Sequence, residues 1–285
     1  MLSRGDEVGA LCVFGSRPTF TMTFILWGTS MPANHEIHFV TDDGIRLNGT
    51  LTRQVRPPGE QASRCMIVVP GFAQHSQTNV MSQVCETLSQ FSDVLCLDPR
   101  GTGKSEGGYY FGAKEHLDIK PALQWTESRY ADTYLLGLSL GAYSALRAAI
   151  CFEHRIRHLF LISCPTSVDE IFWTGAGLKH ASHQILTGRA WAKERNLLFK
   201  WRYPFLNKPS ATGLAAQMTT PVSFLIGGRD RLTPTKMSHR VYRNIRAAEK
   251  RCLEIQDGGH ADELLLPRSD VVQDWLLAGL SGTQS

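Results

Sequence analysis

Six short apolar runs, each closed by glycine, proline or polar residues, constrain this chain most. They read "CMIVVP" (65–70), "VLCLD" (94–98), "YLLGLS" (134–139), "HLFLISCP" (158–165), "PVSFLIGG" (221–228) and "RCLEIQ" (251–256). Runs of this length without polar alternation suit strands buried on both faces. Between most of them lie stretches with helical spacing. Val80, Val84, Leu88 and Phe91 follow the first run, and Leu117, Leu123 and Trp125 follow the second, with Pro121 placed in a first turn. "LGAYSALRAAICFEH" (140–154) follows the third, and further helices are expected over about 234–248 and 262–280. Upstream, "EIHFV" and "IRLNGTL" alternate as a hairpin around "TDDG". Strands alternating with helices predict an α/β fold: a mainly parallel sheet covered by helices on both faces.

Composition agrees with a globular chain of 285 residues, 42% hydrophobic and 20% charged. A net charge of +4, with no basic run interleaved with aromatics, excludes an electrostatic nucleic-acid site. Seven scattered cysteines lack a C-x-x-C pair and read as reduced thiols. Residues 1–34 read as a poorly ordered N-terminal extension. Their longest apolar stretch, Phe20 to Trp27, is too short to span a bilayer, and Asp6 and Glu7 sit where a secretory signal would be basic. The expectation is a cytoplasmic protein with no stable membrane insertion.

In such sheets, function gathers at the carboxyl ends of strands. There the chain reads Gly137-Leu138-Ser139-Leu140-Gly141, a G-x-S-x-G between strand and helix. A strained strand-to-helix turn of this kind exposes the serine hydroxyl and needs tiny neighbours two positions either side. Leu140 N–H, at the helix start, suits an oxyanion. A serine needs a base, and the base an orienting acid. Asp230 in "GGRDRLTP" and His260 in "DGGHAD" follow the next strands in that order. Asp257 and Asp262 are nearer His260 in the chain, but Asp230 stands on a separate strand end, from which the far side of the imidazole is reachable. "PGFAQH" (70–75) offers Phe72 N–H as a second oxyanion donor; His75 reads either as a site-lining residue or as an exposed loop histidine.

"DPRGTGKSEGG" (98–108) contains G-K-S, the end of a phosphate-binding loop. That motif requires a glycine where Asp98 stands and a helix where Glu106-Gly107-Gly108 signals a turn, so nucleotide binding is rejected.

With these motifs in order, the chain resembles the α/β-hydrolase superfamily over about 35–280. The resemblance implies a serine hydrolase that cleaves a small-molecule carboxylic ester through an acyl-enzyme. Thioester or N-terminal amide substrates are alternatives, and a catalytically inactive binding member is another. The implied roles are Ser139 as nucleophile, His260 as base and Asp230 as its orienter, with Phe72 and Leu140 N–H groups holding the oxyanion and no metal or cofactor. "DPRGTGKSEG" then resembles the family's D-x-R-G-x-G-x-S loop, held by Asp98 and Arg100. The resemblance also implies a helical cap over about 166–219, rich in aromatics that include Trp173 and Trp201. These form either an acyl pocket or simple packing onto the domain. Its seven Lys/Arg against three Asp/Glu read either as an attraction for anionic substrates or as a solvated basic face.

Overall fold

The computed structural model describes residues 34–57, 59–152, 155–173, 175–177, 179, 182, 208–267 and 269–281; the side chains of Phe172 and Trp173 are outside that description. Its eight strands are β1 (Asn34–Val40), β2 (Arg46–Thr52), β3 (Arg64–Val69), β4 (Asp93–Asp98), β5 (Asp132–Leu138), β6 (His158–Ile162), β7 (Val222–Gly227) and β8 (Lys250–Ile255). They form one sheet in the order β1-β2-β4-β3-β5-β6-β7-β8. β1–β2 and β2–β4 pair antiparallel, and every other neighbour is parallel.

The helices are α1 (Asn79–Leu88), α2 (His116–Glu127), α3 (Leu140–Cys151), α4 (Val168–Trp173), α5 (Ala211–Ala215), α6 (Thr235–Asn244), α7 (Asp262–Leu265) and α8 (Asp270–Ser281). Strand side chains alternate between faces, which splits the core in two. Cys65, Ile67 and Val69 of β3 join Ile119, Leu123, Ala145, Ala149 and Val241 on the face covered by α2, α3 and α6. Met66 and Val68 join Met81, Val84, Leu264, Trp275 and Leu276 on the face covered by α1, α7 and α8. Alanines in α3 let it pack close to the sheet, and its Ala142, Ala145, Ala148 and Ala149 are fully buried. On the other face, the Phe160 ring meets Trp275 edge-on at 5.2 Å and His158 at 4.8 Å. Truncating a buried aromatic of this kind costs about 3–5 kcal/mol.

Two helical expectations are corrected. Pro121 lies inside α2, beyond its first turn. The helix begins with tighter bonds, from Leu117 N–H to Lys114 O and from Asp118 N–H to Glu115 O. The expected helix over 262–280 is two: α7 ends at Leu265, and although Leu266 keeps helical angles, Pro267 has no N–H to donate to the next carbonyl. Of the stretch expected to form a cap, α4 and α5 are described. Residues 183–207, and with them Trp191, Phe199, Trp201, Tyr203 and Phe205, lie outside the described residues.

The "DPRGTGKSEGG" loop follows β4. The Asp98 carboxylate accepts from Ser76 N–H at 2.8 Å and Lys104 N–H at 2.9 Å. Gly103, at φ 51°, lies so close to that carboxylate that a Cβ would collide with it. Arg100, buried, donates to Asp118 at 2.7 Å and to Asp43 at 2.7 Å, so the loop is pinned to α2 and to the β1–β2 turn. Lys104 is spent on an exposed ion pair with Glu36 of β1.

Candidate active site

The strand order reverses around β3: β4 lies on one side and β5 on the other. At such a switch point the loops leaving two strands diverge and open a crevice at the carboxyl ends. Register brings those ends level, with Val69 opposite Gly137 and Leu138 opposite Ile162. A cavity of about 370 Å³ opens there, lined on one part by Gly71, Phe72, Leu138, Ser139 and Leu140 and on another by Leu232, His260, Asp262 and Glu263. It therefore brings Ser139, His260, Phe72 and Leu140 to one place.

Ser139 joins β5 to α3 at φ 53°, ψ −116°, far from any conformation a serine prefers. Strain of this kind costs on the order of 1–3 kcal/mol and persists only where the surroundings impose it. They do so sterically. A Cβ on Gly137 would meet the backbone of Ala142, and one on Gly141 would overlap the carbonyl oxygens of Val69 and Pro70. The turn is thus pressed between β3 and its own helix. Ser139 N–H donates to Ile162 O at 2.9 Å, which anchors the turn to β6. Leu140 occupies the first helical position, where a backbone N–H has no partner within its own helix. The loop after β3 packs directly on this turn at Gly71. Phe72 is held by ring contacts, stacked on Phe111 at 5.7 Å and edge-on to Tyr109 at 6.0 Å.

Asp230, buried, follows β7. Its Oδ1 accepts from Leu232 N–H at 2.9 Å and Thr233 N–H at 2.8 Å. Its Oδ2 lies 2.8 Å from His260 Nδ1. With two backbone donors fixing one oxygen, the other is aimed at the ring. Asp257 instead forms an exposed ion pair with Arg229. Asp262 stands at the first position of α7 in the cavity wall, where burial raises its pKa, against the opposing pull of its own backbone N–H and of nearby His260.

His75 is placed differently from both expectations. It is 7% exposed and absent from the cavity lining, which Gln74 joins in its place. The loop turns at Ala73, at φ 59°, so that neighbouring side chains diverge. Trp173 and Trp201 have no described side chains. Residues that sequence reasoning did not single out include Gln74, Val168, Ile171, Leu232 and Glu263, all lining the cavity. Gln74 and Leu232 lie inside the quoted stretches "PGFAQH" and "GGRDRLTP", and Glu263 directly follows "DGGHAD", which is the available signal.

The model of the alpha/beta hydrolase family matches residues 66–274. This chain belongs to that family. Solved structures share its fold at low identity. An esterase of Pyrococcus furiosus is 21% identical with a TM-score of 0.67, covering 87% of this chain and 93% of that one. Est1E from Butyrivibrio proteoclasticus, solved with ferulic acid bound, is 20% identical with a TM-score of 0.61, covering 86% and 99%. A serine hydrolase without a lid from Xanthomonas campestris is 16% identical with a TM-score of 0.57, covering 88% and 96%. Among the described residues, no helix is long and apolar enough to cross a membrane.

Proposed function

We propose that this α/β hydrolase is a serine hydrolase that cleaves small carboxylic esters through an acyl-enzyme. The observation that carries the reading is the 2.8 Å contact between His260 Nδ1 and Asp230 Oδ2, beside the cavity that His260 shares with the strained Ser139. In this reading the Asp230 carboxylate accepts a hydrogen bond from Nδ1–H, which keeps the proton on Nδ1 and leaves Nε2 as the base. His260 takes the Ser139 hydroxyl proton as Oγ attacks the ester carbonyl. Charge develops on the carbonyl oxygen, and the backbone N–H groups of Leu140 and Phe72 stabilise it. Collapse expels the alcohol, protonated by His260, and leaves Ser139 acylated. Water, deprotonated by His260, then releases the acid.

The cavity supports a small substrate of particular polarity. Its volume falls within the range of small-molecule sites. Phe72, Leu138, Val168, Ile171 and Leu232 supply apolar wall, and Asp262 and Glu263 supply carboxylates. These two carboxylates favour an uncharged or cationic leaving group over an anionic one.

The test is Ser139→Ala, assayed on p-nitrophenyl esters of graded length and with a fluorophosphonate probe. The variant is expected to lose roughly 10⁴–10⁶ in kcat and all covalent labelling, with an unchanged melting temperature. Undiminished turnover in the variant would exclude this mechanism. A wild-type protein that neither turns over any ester, thioester or aminoacyl amide nor labels would support a binding role for the fold.

A further inference from the structure

Ser163, the first residue after β6, has no part in the steps above and does not line the cavity. It is 1% exposed and holds φ 51°, a region that a serine adopts only at a cost. Its neighbourhood connects the two halves of the site. The carbonyl just before it, Ile162 O, accepts from Ser139 N–H at 2.9 Å. Its own N–H donates at 3.0 Å to Leu225 O of β7, the strand that leads to Asp230. Its Oγ accepts from the N–H of Ala261 at 3.0 Å.

That last bond is the informative one. Ala261 directly follows His260 and is itself strained, at φ 46°, ψ −100°. It is buried, and an unpartnered N–H there would cost about 1–3 kcal/mol. His260 is held by near and distant partners. The Glu263 carboxylate accepts from its N–H at 3.3 Å, and its carbonyl accepts from Glu263 N–H at 3.0 Å, but Glu263 belongs to the same segment and moves with it. Asp230 ties the ring, and Ser163 the backbone on the carboxyl side, to other strand ends. Without Ser163, the ring can keep its bond to Asp230 while the segment pivots and Nε2 drifts from Ser139.

We infer that Ser163 is a positioning residue, its hydroxyl fixing the backbone after His260 so that the imidazole stays in register with Ser139. The inference rests on the serine-hydrolase reading. A purely structural serine in the left-handed region makes the opposite prediction from a positioning one, because glycine relieves its backbone strain at no steric cost.

The experiment compares Ser163→Gly, Ser163→Thr and Ser139→Ala on p-nitrophenyl butyrate, with melting temperatures and fluorophosphonate labelling rates. In Ser163→Gly the relieved strain offsets the unpartnered Ala261 N–H, so the variant is expected to keep its melting temperature to within a few degrees, and its KM, while kcat and the labelling rate fall by roughly 10-fold to 10²-fold, the scale of a small misplacement. Ser163→Thr keeps the hydroxyl but puts a branched Cβ at positive φ. It is expected to melt lower and retain most of kcat. Wild-type kcat in Ser163→Gly, or a kcat loss matched by a collapse of its melting temperature, overturns the inference. So does a Ser163→Thr protein that folds but turns over no faster than Ser163→Gly. Hydrolysis surviving in Ser139→Ala would instead overturn the mechanism itself, whereas an inert Ser139→Ala beside a fully active Ser163→Gly removes only the positioning role.

Discussion

At the Ser139 corner of the cavity, the backbone is held by contact with its own helix and the adjacent strand. A single methyl group on Gly141 has no room against Val69 and Pro70. At the His260 corner, Asp230 accepts from the ring and Ser163 from the backbone N–H of Ala261, and these acceptors are 30 and 98 positions away from their partners in the chain. The first corner is controlled by volume and the second by direction. A steric corner tolerates the loss of atoms poorly signalled elsewhere but no added atom. A hydrogen-bonded corner tolerates modest volume changes but not the loss of one acceptor. A strained backbone of one kind occurs at Ser139 (φ 53°, ψ −116°) and Ala261 (φ 46°, ψ −100°), and is enforced by these two different means.

The largest effect that would sharpen this contrast is expected at the acceptor. Asp230→Asn keeps the volume but replaces the acceptor facing Nδ1, and should lower kcat by roughly 10³–10⁴ with the circular dichroism spectrum unchanged. A larger loss in Asp257→Asn or Asp262→Asn would break the assignment. Those two should cost about tenfold or less, since Asp257 is engaged with Arg229 at the surface and Asp262 stands in the first turn of α7, while Asp230 already faces Nδ1.

Acid should destabilise the whole sheet next, so the corners must be compared above pH 6.5. Burial at the amino end of β6 lowers the pKa of His158 from 6.5 to about 4. The ring is neutral in the fold, while the unfolded chain gains a proton below pH 6.5. Stability is therefore full above 6.5, declines as pH falls, and levels below about 4. The loss attributable to this group is about 3 kcal/mol. His116, lowered to about 3 chiefly by burial, acts with the same sign. Urea midpoints at pH 7.5, 5.5 and 4.5 check this; a flat profile counts against neutral storage of both rings.

Gly141→Ala tests the steric corner directly. Overpacking there should cost about 1–3 kcal/mol and lower the melting temperature by several degrees, unlike Asp230→Asn. A Gly141→Ala protein as stable as the wild type would show that the turn relaxes and that volume does not control it.

The smallest effect is expected far from both corners. Lys104→Ala removes an exposed ion pair with Glu36, a contact that water and salt screen heavily. Ester turnover should stay within a few fold, and ATP should not shift the melting temperature of the wild type. Saturable ATP binding lost in the variant would restore the phosphate-loop reading of Gly103-Lys104-Ser105.

The sequence by itself determined what depends on near neighbours in the chain. Continuous apolar runs alternating with helical spacing require a buried parallel sheet. Gly137 and Gly141 around Ser139 declare a tight turn, because excluded volume acts within a few residues. The Asp98 loop was legible for the same reason. Only the tertiary structure decided matters of direction between distant segments. The sequence favours Asp230 over Asp257 and Asp262 through its separate strand end, but only the fold aims the carboxylate, by bonding one oxygen to Leu232 and Thr233 and leaving the other facing Nδ1. It also decided that Gln74 rather than His75 reaches the cavity, and that Ser163 reaches Ala261. A hydrogen bond depends on where two loops end in space and how their backbones point, and neither is encoded in the spacing of either loop alone.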